Sequence, residues 1–582
     1  MESVALPSSA DYIIVGGGTA GLVVASRLSE DPTIQVLVLE AGPDRSADPR
    51  LQDPSLWLTL CGSELDWQFK TVSQPGLNGR EQALTAGKVL GGSAAINTGM
   101  FVPPSLAGME AWNAMGNTSW SWDNLRPYLQ RSFTEFAPPE LTALREQGEM
   151  NMQKDETESA NGPIQVSYPT LTEKSNHPLL DAWNEAFTAK GYAFQPELVV
   201  EGATVGTRPY SATVNPASGL RSSADTRYRR PQPEETARRS NLRIVTGATV
   251  EQILLSKNST DSDEAESSVQ ATAVKLRLAD GTAAQVQATR EVILAAGAYQ
   301  TPQLLEYSGI GNPTILTRHG IAPVIVNPNV GENLHIHICY AQPVGLTQSP
   351  ADDSGTKFTP GIQAFAFVRT GEEAALAARH LSACVDHAES AIRKTILENP
   401  DEATACMILT ADPANSFALL VAIPCYPLSR GRVHITSSSS SSSSPDTGRN
   451  NQVEVDPQCL THPLDVELMA RHVQSLLEIS TAPALRPFID GSAAMKEVPL
   501  QDLEAIKALL RERAITTNHP CGTAAMLPRA KGGVVDQELR VYGTTNLRVV
   551  DASIFPLIPY ANPMATVYAV AEKAVDLIQA GR

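Results

Sequence analysis

Two rhythms of apolar residues run along the chain, and the first forty positions show both. Asp11–Val15 (DYIIV) is a short apolar run bounded by polar residues and glycine, which predicts a buried strand. Gly16–Gly21 (GGGTAG) breaks the run with a tight glycine turn. Leu22–Ser29 carries apolar residues at helical spacing, and Ile34–Leu39 (IQVLVL) is a second strand-like run ending at Glu40. Together they read as a βαβ unit. Similar strand punctuation returns at Glu291–Gly297 (EVILAAG) and Leu547–Asp551 (LRVVD), and Thr566–Ile578 has the spacing of a closing helix. These distant strands are expected to share one sheet, which makes the first domain discontinuous.

The intervening segments differ in character. Residues from about 100 to 160 are rich in Trp, Pro and Glu and predict a long covering loop with short helices. The stretches from about 160 to 220 and 325 to 515 alternate β-like and helical patterns. Ser437–Ser444 is an unbroken serine run before Pro445 and reads as an exposed, flexible loop. The expected fold is α/β: a discontinuous Rossmann-like domain of residues 1–160, 220–325 and 516–582, and a second α+β substrate-binding domain of 161–219 and 326–515 built on an antiparallel sheet.

Length and composition narrow the classes. A chain of 582 residues exceeds one simple core. A net charge of −18 argues against nucleic acid or an anionic membrane surface as partner. The seven cysteines show no paired spacing, which suits a reducing compartment. The opening residues lack the basic and apolar regions of a signal peptide, and no run of about eighteen apolar residues appears. The expectation is a soluble, cytoplasmic protein.

The chemistry begins at the glycine turn. Gly16, Gly18 and Gly21 form G-x-G-x-x-G directly after a strand and at the opening of a helix. That pattern allows a tight turn, backbone approach to a pyrophosphate, and close packing of helix on strand. The helix start offers free N–H groups to phosphate, and Glu40 is placed to accept a ribose hydroxyl. The motif reads as dinucleotide binding; its place at the start of a long chain, with Glu40, favours FAD over NAD.

Four further stretches resemble the glucose–methanol–choline (GMC) oxidoreductases. Gly87–Asn97 (GKVLGGSAAIN) is similar to the family's first signature, and Gly297–Gly311 (GAYQTPQLLEYSGIG) fits its second. Asn329–His337 (NVGENLHIH) resembles a segment that ends N-L-x-D-H, with Ile336 in the place of the acid. The last block is His519–Met526 (HPCGTAAM), Gly533–Asp536 (GVVD) and Leu547–Pro556 (LRVVDASIFP), followed by Asn562 in IPYANPMATVY. The resemblance implies an FAD enzyme that moves a hydride from an alcohol to the flavin, with His519 as general base and Asn562 holding the alkoxide. It also implies a cofactor-binding set of Gly16, Gly18, Thr19, Ala20, Gly21, Glu40, Ala41, Val89, Gly92, Ser93, Asn97, Thr98, Gly99, Met100, Val250, Ala296, Asp551, Ala552, Pro563 and Met564.

Some members of that family attach FAD through a His preceding the signature Asn. Ile96 stands there, so non-covalent FAD is implied. The implied partners are a small-molecule alcohol and an electron acceptor, O2 or another. His335 and His337 have the look of a metal pair, but no third ligand has sensible spacing, and structural hydrogen bonding is the reading taken. Two departures, Ala524–Leu527 after the HPCGT stretch and Phe101–Pro104 (FVPP) after Met100, point to a covering region with its own shape. The same motifs would suit a redox-silent lyase or cyclase using His519 as acid or base.

Overall fold

The computed structural model describes residues 6–148, 161–171, 178–229, 239–257, 268–347, 361–381, 387–412, 415–436, 453–492 and 500–581. The serine run Ser437–Ser444 and residues 149–160 of the expected covering segment lie outside the described residues.

The protein is a mixed α/β fold with two seven-stranded sheets. In the first, β1 (Ser9–Val15) pairs in parallel with β2 (Val36–Glu40), and β2 in turn with strand Leu242–Thr246. On its other edge β1 pairs with strand Ala283–Leu294, Val15 lying opposite Leu294. That strand serves two further partners. Its first half pairs antiparallel with Val269–Leu278, while Val292–Leu294 pair in parallel with Leu547–Val549. Ile13, Ile14, Val292, Ile293 and Leu294 are all 0% exposed, the signature of strands covered on both faces. Helix α1 (Thr19–Leu28) packs against the helix Met564–Ala580 over one face. The first and last parts of the chain therefore close one core.

The second sheet is antiparallel along its main path, through Ile338–Leu346, Phe417–Pro424, Ala405–Asp412, Gly361–Val368 and Gly206–Pro209. Its side chains alternate cleanly, as a strand's period of two requires. Ala364, Ala366, Met407, Leu409 and Leu420 pack in one hydrophobic core with Trp183 and Met469, which lie on the helices Pro178–Thr188 and Pro463–Ile479. Phe365, Phe367, Cys406, Ile408 and Ile423 join the core of the first sheet instead.

Residues 100–148 are more helical than a covering loop. Helices Leu106–Ala114, Trp122–Ser132 and Pro139–Gly148 occupy most of the span. Its tryptophans work as anchors: Trp112 and Trp120 are fully buried, and their indole N–H groups donate to the carbonyls of Leu557 and Gln537, each at 2.9 Å.

A charged bolt joins the helix Gly297–Tyr307 to strand Arg432–Ile435. Glu306, fully buried, accepts from His434 Nδ1 at 2.7 Å and from the Ile435 amide at 2.9 Å, and Glu332 faces His434 Nε2 at 3.0 Å. Burial alone would lower the His434 pKa, but the hydrogen bonds and charges of Glu306 and Glu332 outweigh it and raise it to about 9. A raised folded-state pKa contributes stability that is full below the unfolded value near 6.5 and lost as pH rises through about 9. Melting temperatures measured from pH 6 to 9.5 should fall more steeply for the wild type than for His434→Gln; parallel curves would refute the bolt.

Candidate active site

The loop after β1 is shaped for a phosphate. Gly16 has φ +106°, and a Cβ there would lie 2.4 Å from the Ala295 carbonyl oxygen. A Cβ on Gly21 would lie 2.0 Å from the Gly16 oxygen, so only glycine lets α1 close on β1. Gly18 caps α1 with no side-chain hydrogen bond, and the first turn carries no acid, which leaves the helix start open to an anion. Thr19, Ala20 and Gly21 form that first turn.

Glu40 lies where β2 ends, and its two oxygens accept from the amides of Gly17 and Gly42, both at 2.7 Å. Burial raises its pKa to about 7, against those two bonds. Each carboxylate oxygen keeps a further lone pair, which suits a ribose hydroxyl. Ala41 is half-buried beside it, and the Gly247 amide before Val250 donates to Gly42 O at 3.0 Å, bringing that strand to the same edge.

The segment carrying the first signature is stitched across this loop. The Gly91 amide donates to Gly17 O at 2.8 Å, and a Cβ on Gly92 would meet Gly18 Cα at 2.7 Å. Val89 is fully buried, and Ser93 starts a short helix whose hydroxyl accepts from the Gly87 amide at 3.1 Å. Asn97 Oδ1 takes the Gly99 amide at 2.9 Å and Arg221 Nη1 at 3.0 Å, while its Nδ2 points to Met564 Sδ at 3.3 Å. The Thr98 carbonyl accepts from Tyr210 at 2.8 Å, and Met100 is buried. Asn97 thus meets Met564, which opens the last helix after Pro563.

Asp551 precedes the short helix Ala552–Ile554, after strand Leu547–Val549. Its carboxylate accepts from the Gly297 amide (2.9 Å), Thr301 Oγ1 (2.6 Å) and the Ser553 amide (2.8 Å), so it fastens the helix that follows Ala296. The Ala552 carbonyl accepts from the Gly522 amide at 3.1 Å, which ties this turn to the His519 loop.

His519 sits in a hydrogen-bonded chain with a defined direction. His337 Nε2 lies 2.9 Å from the Cys425 carbonyl, which can only accept, so that nitrogen carries the proton. Burial pushes the His337 pKa down to about 4, so its Nδ1 presents a lone pair. His519 Nδ1 is 3.0 Å from that nitrogen and 3.0 Å from Thr517 Oγ1, whose hydroxyl donates to the His337 carbonyl at 3.1 Å. The network therefore assigns the His519 proton to Nδ1 and leaves Nε2 free to accept. Asn562 Nδ2 lies 3.0 Å from Nε2. Burial, and next the His337 ring, hold the His519 pKa well below its usual range, while the ring stays partly open to solvent.

Sequence reasoning gave His337 only a structural hydrogen-bonding role and missed Thr517. His337 ends the N-L-x-D-H-like segment, and that ending was the available signal. The pairing with His519 spans 182 residues and has no local pattern. His335, the other half of the suspected pair, turns away to Asn333 Oδ1 at 3.1 Å.

A glycine cradle with an open helix start, together with a neutral imidazole hydrogen-bonded to an amide, is what a dinucleotide-dependent oxidoreductase needs. The chain belongs to the GMC oxidoreductase family, matching it over residues 10–339 and 427–571. This family is FAD-binding and its enzymes oxidise CH–OH groups. GMC oxidoreductase family protein Mala s 12 of Malassezia sympodialis is 31% identical, over 98% of this chain and 92% of that protein. An FAD-dependent oxidoreductase from Chaetomium thermophilum superposes with TM-score 0.81 at 27% identity, covering 98% of this chain and 99% of the other. A fungal aryl-alcohol oxidase gives TM-score 0.78 at 27% identity, with the same coverages. Among the described residues no helix is long and apolar enough to cross a membrane.

Proposed function

We propose that the protein oxidises a small-molecule alcohol to a carbonyl, with His519 Nε2 taking the hydroxyl proton. The observation that carries this reading is the directed chain from the Cys425 carbonyl through His337 to His519 and Asn562. It holds an unprotonated nitrogen ready at neutral pH, as a general base needs. Once protonated at Nε2, His519 still donates from Nδ1 to Thr517 and His337, so the new cation remains hydrogen-bonded. The substrate hydroxyl takes the place of the Asn562–His519 bond, and the Asn562 amide then donates to the forming alkoxide. A neutral amide does not compete for the proton.

Bound FAD supplies the hydride acceptor. The residues that would hold it are the α1 start, Glu40, the segment 89–100 and the turn at 562–564. Ile96 is 3% exposed and packs with Val89 and Leu65, so no nucleophile stands directly ahead of Asn97, which supports non-covalent binding. The electron acceptor is O2 or another oxidant.

Anaerobic titration of the yellow protein with primary and benzylic alcohols is the test. The visible flavin band should bleach, and acid precipitation of the same sample should release the colour to the supernatant. A flavin that no alcohol bleaches would overturn the oxidation; colour held in the pellet would overturn the non-covalent attachment.

A further inference from the structure

A buried arginine stands behind the cofactor segment. Arg221 is 3% exposed. Its amide donates to the Gln52 carbonyl at 2.8 Å and its Nε to the Leu51 carbonyl at 2.9 Å, which fixes where the side chain enters. Nη1 donates to Asn97 Oδ1 at 3.0 Å and reaches the Ala94 carbonyl at 3.5 Å. Nη2 is buried with no partner.

The charge of this guanidinium is not cancelled by contact. Arg221 forms no ion pair among the described residues. The groups that act on it through space are Tyr210, Asp225, Tyr568 and Asp53. Burial pushes the pKa of both phenols up and keeps them neutral. Asp225 is spent on the Ser223 hydroxyl at 2.5 Å, and Asp53 is exposed and accepts from the Ser55 amide at 2.9 Å. Burial lowers the Arg221 pKa only to about 10, so it stays a cation at neutral pH.

A cation held by neutral acceptors in a low-dielectric setting keeps its field, and here the field has an outlet. Asn97 Oδ1 takes two donors, Arg221 Nη1 and the Gly99 amide, so the side-chain nitrogen must face the other way. There Nδ2 meets Met564 Sδ at 3.3 Å, and a thioether is a weak acceptor. Asn97 itself is half-buried. Nδ2 therefore lies between the two segments that would hold the flavin, 89–100 and 562–564. A guanidinium bonded to an amide oxygen draws electrons from that amide and strengthens its N–H as a donor.

We propose that Arg221 is a positioning residue that tunes the flavin: through the Asn97 amide it presents a strengthened N–H to the ring and stabilises the negative charge gained on reduction. This rests on FAD binding at those two segments, and not on which alcohol is oxidised. The readout is the midpoint potential of the holoprotein, measured against reference dyes with no alcohol present. Arg221→Gln should shift the reduction equilibrium toward oxidised flavin by about tenfold, the scale of one charge-assisted bond. For a two-electron couple that is a potential ~30 mV lower. Arg221→Lys, which keeps the charge, should recover part of the loss.

Asn97→Leu should also lower the potential, and in that background Arg221→Gln should add little, because the relay is already cut. A wild-type potential in Arg221→Gln, or losses that add fully in the double variant, overturns the proposal. Where Arg221→Gln does not retain FAD, Asn97→Leu decides, and an unchanged potential there overturns it. A holoprotein that shows these shifts but that no alcohol reduces upholds the relay and overturns the proposed oxidation instead.

Discussion

Flavin reduction by alcohol should slow by about 10²–10⁴-fold in His519→Ala, the range measured for loss of a positioned general base. The variant should still carry FAD, because His519 lies outside the glycine loop and makes no bond to Glu40 or to residues 89–100. Stopped-flow reduction under anaerobic conditions checks it, and a wild-type rate would remove His519 from the chemistry. The pH profile belongs to the same expectation. Because burial and the neighbouring imidazole hold the His519 pKa well below 6.5, the base stays ready through mild acid. The wild-type rate should therefore be flat from neutral pH to below that value, falling only in stronger acid.

The second large effect is on stability. Glu572 on the last helix is fully buried, and it collects Arg27 from α1 at 2.9 Å, Arg131 at 2.9 Å and the Tyr228 hydroxyl at 2.9 Å. Removing the acid in Glu572→Ala leaves two guanidinium groups facing each other in a confined space. Breaking a buried ion pair costs about 3–5 kcal/mol. Arg131 keeps 36% of its side chain exposed and Arg27 20%, so water can recover part of the loss. The lower end, about 3 kcal/mol, is expected. The variant should melt at a clearly lower temperature, with flavin release tracking the unfolding; an unchanged melting temperature would show that the cluster contributes nothing.

How far the sequence speaks for itself varies from element to element. The β1–α1–β2 unit was readable because a buried parallel strand needs an unbroken apolar run and the turn after it needs glycine. The wider α/β fold, with its antiparallel second sheet, was also legible from patterning and motif. His519 and Asn562 were marked by the blocks around them, and the structure brings their side chains within a hydrogen bond. His337 was seen and set aside, because its meaning lies in which nitrogen faces the Cys425 carbonyl, a fact of tertiary geometry. Residues 100–148 looked loop-like from their composition, yet their tryptophans find anchors that only a folded partner supplies.

The shared strand Ala283–Leu294 has a consequence for how the molecule is made. Its upper half rests against Leu547–Val549 on one side and β1 on the other, so the first-made strand waits for one of the last before the sheet is complete. On the ribosome, β1 and α1 emerge with apolar faces whose covering helix, Met564–Ala580, has yet to be translated. A nascent chain in that state exposes sticky surface for most of its synthesis, so its yield in a cell should depend on chaperone holding more than on the finished fold's stability. The same stretch also carries Asn562. A chain interrupted before it lacks both its closing helix and its amide, and folding and chemistry fail together.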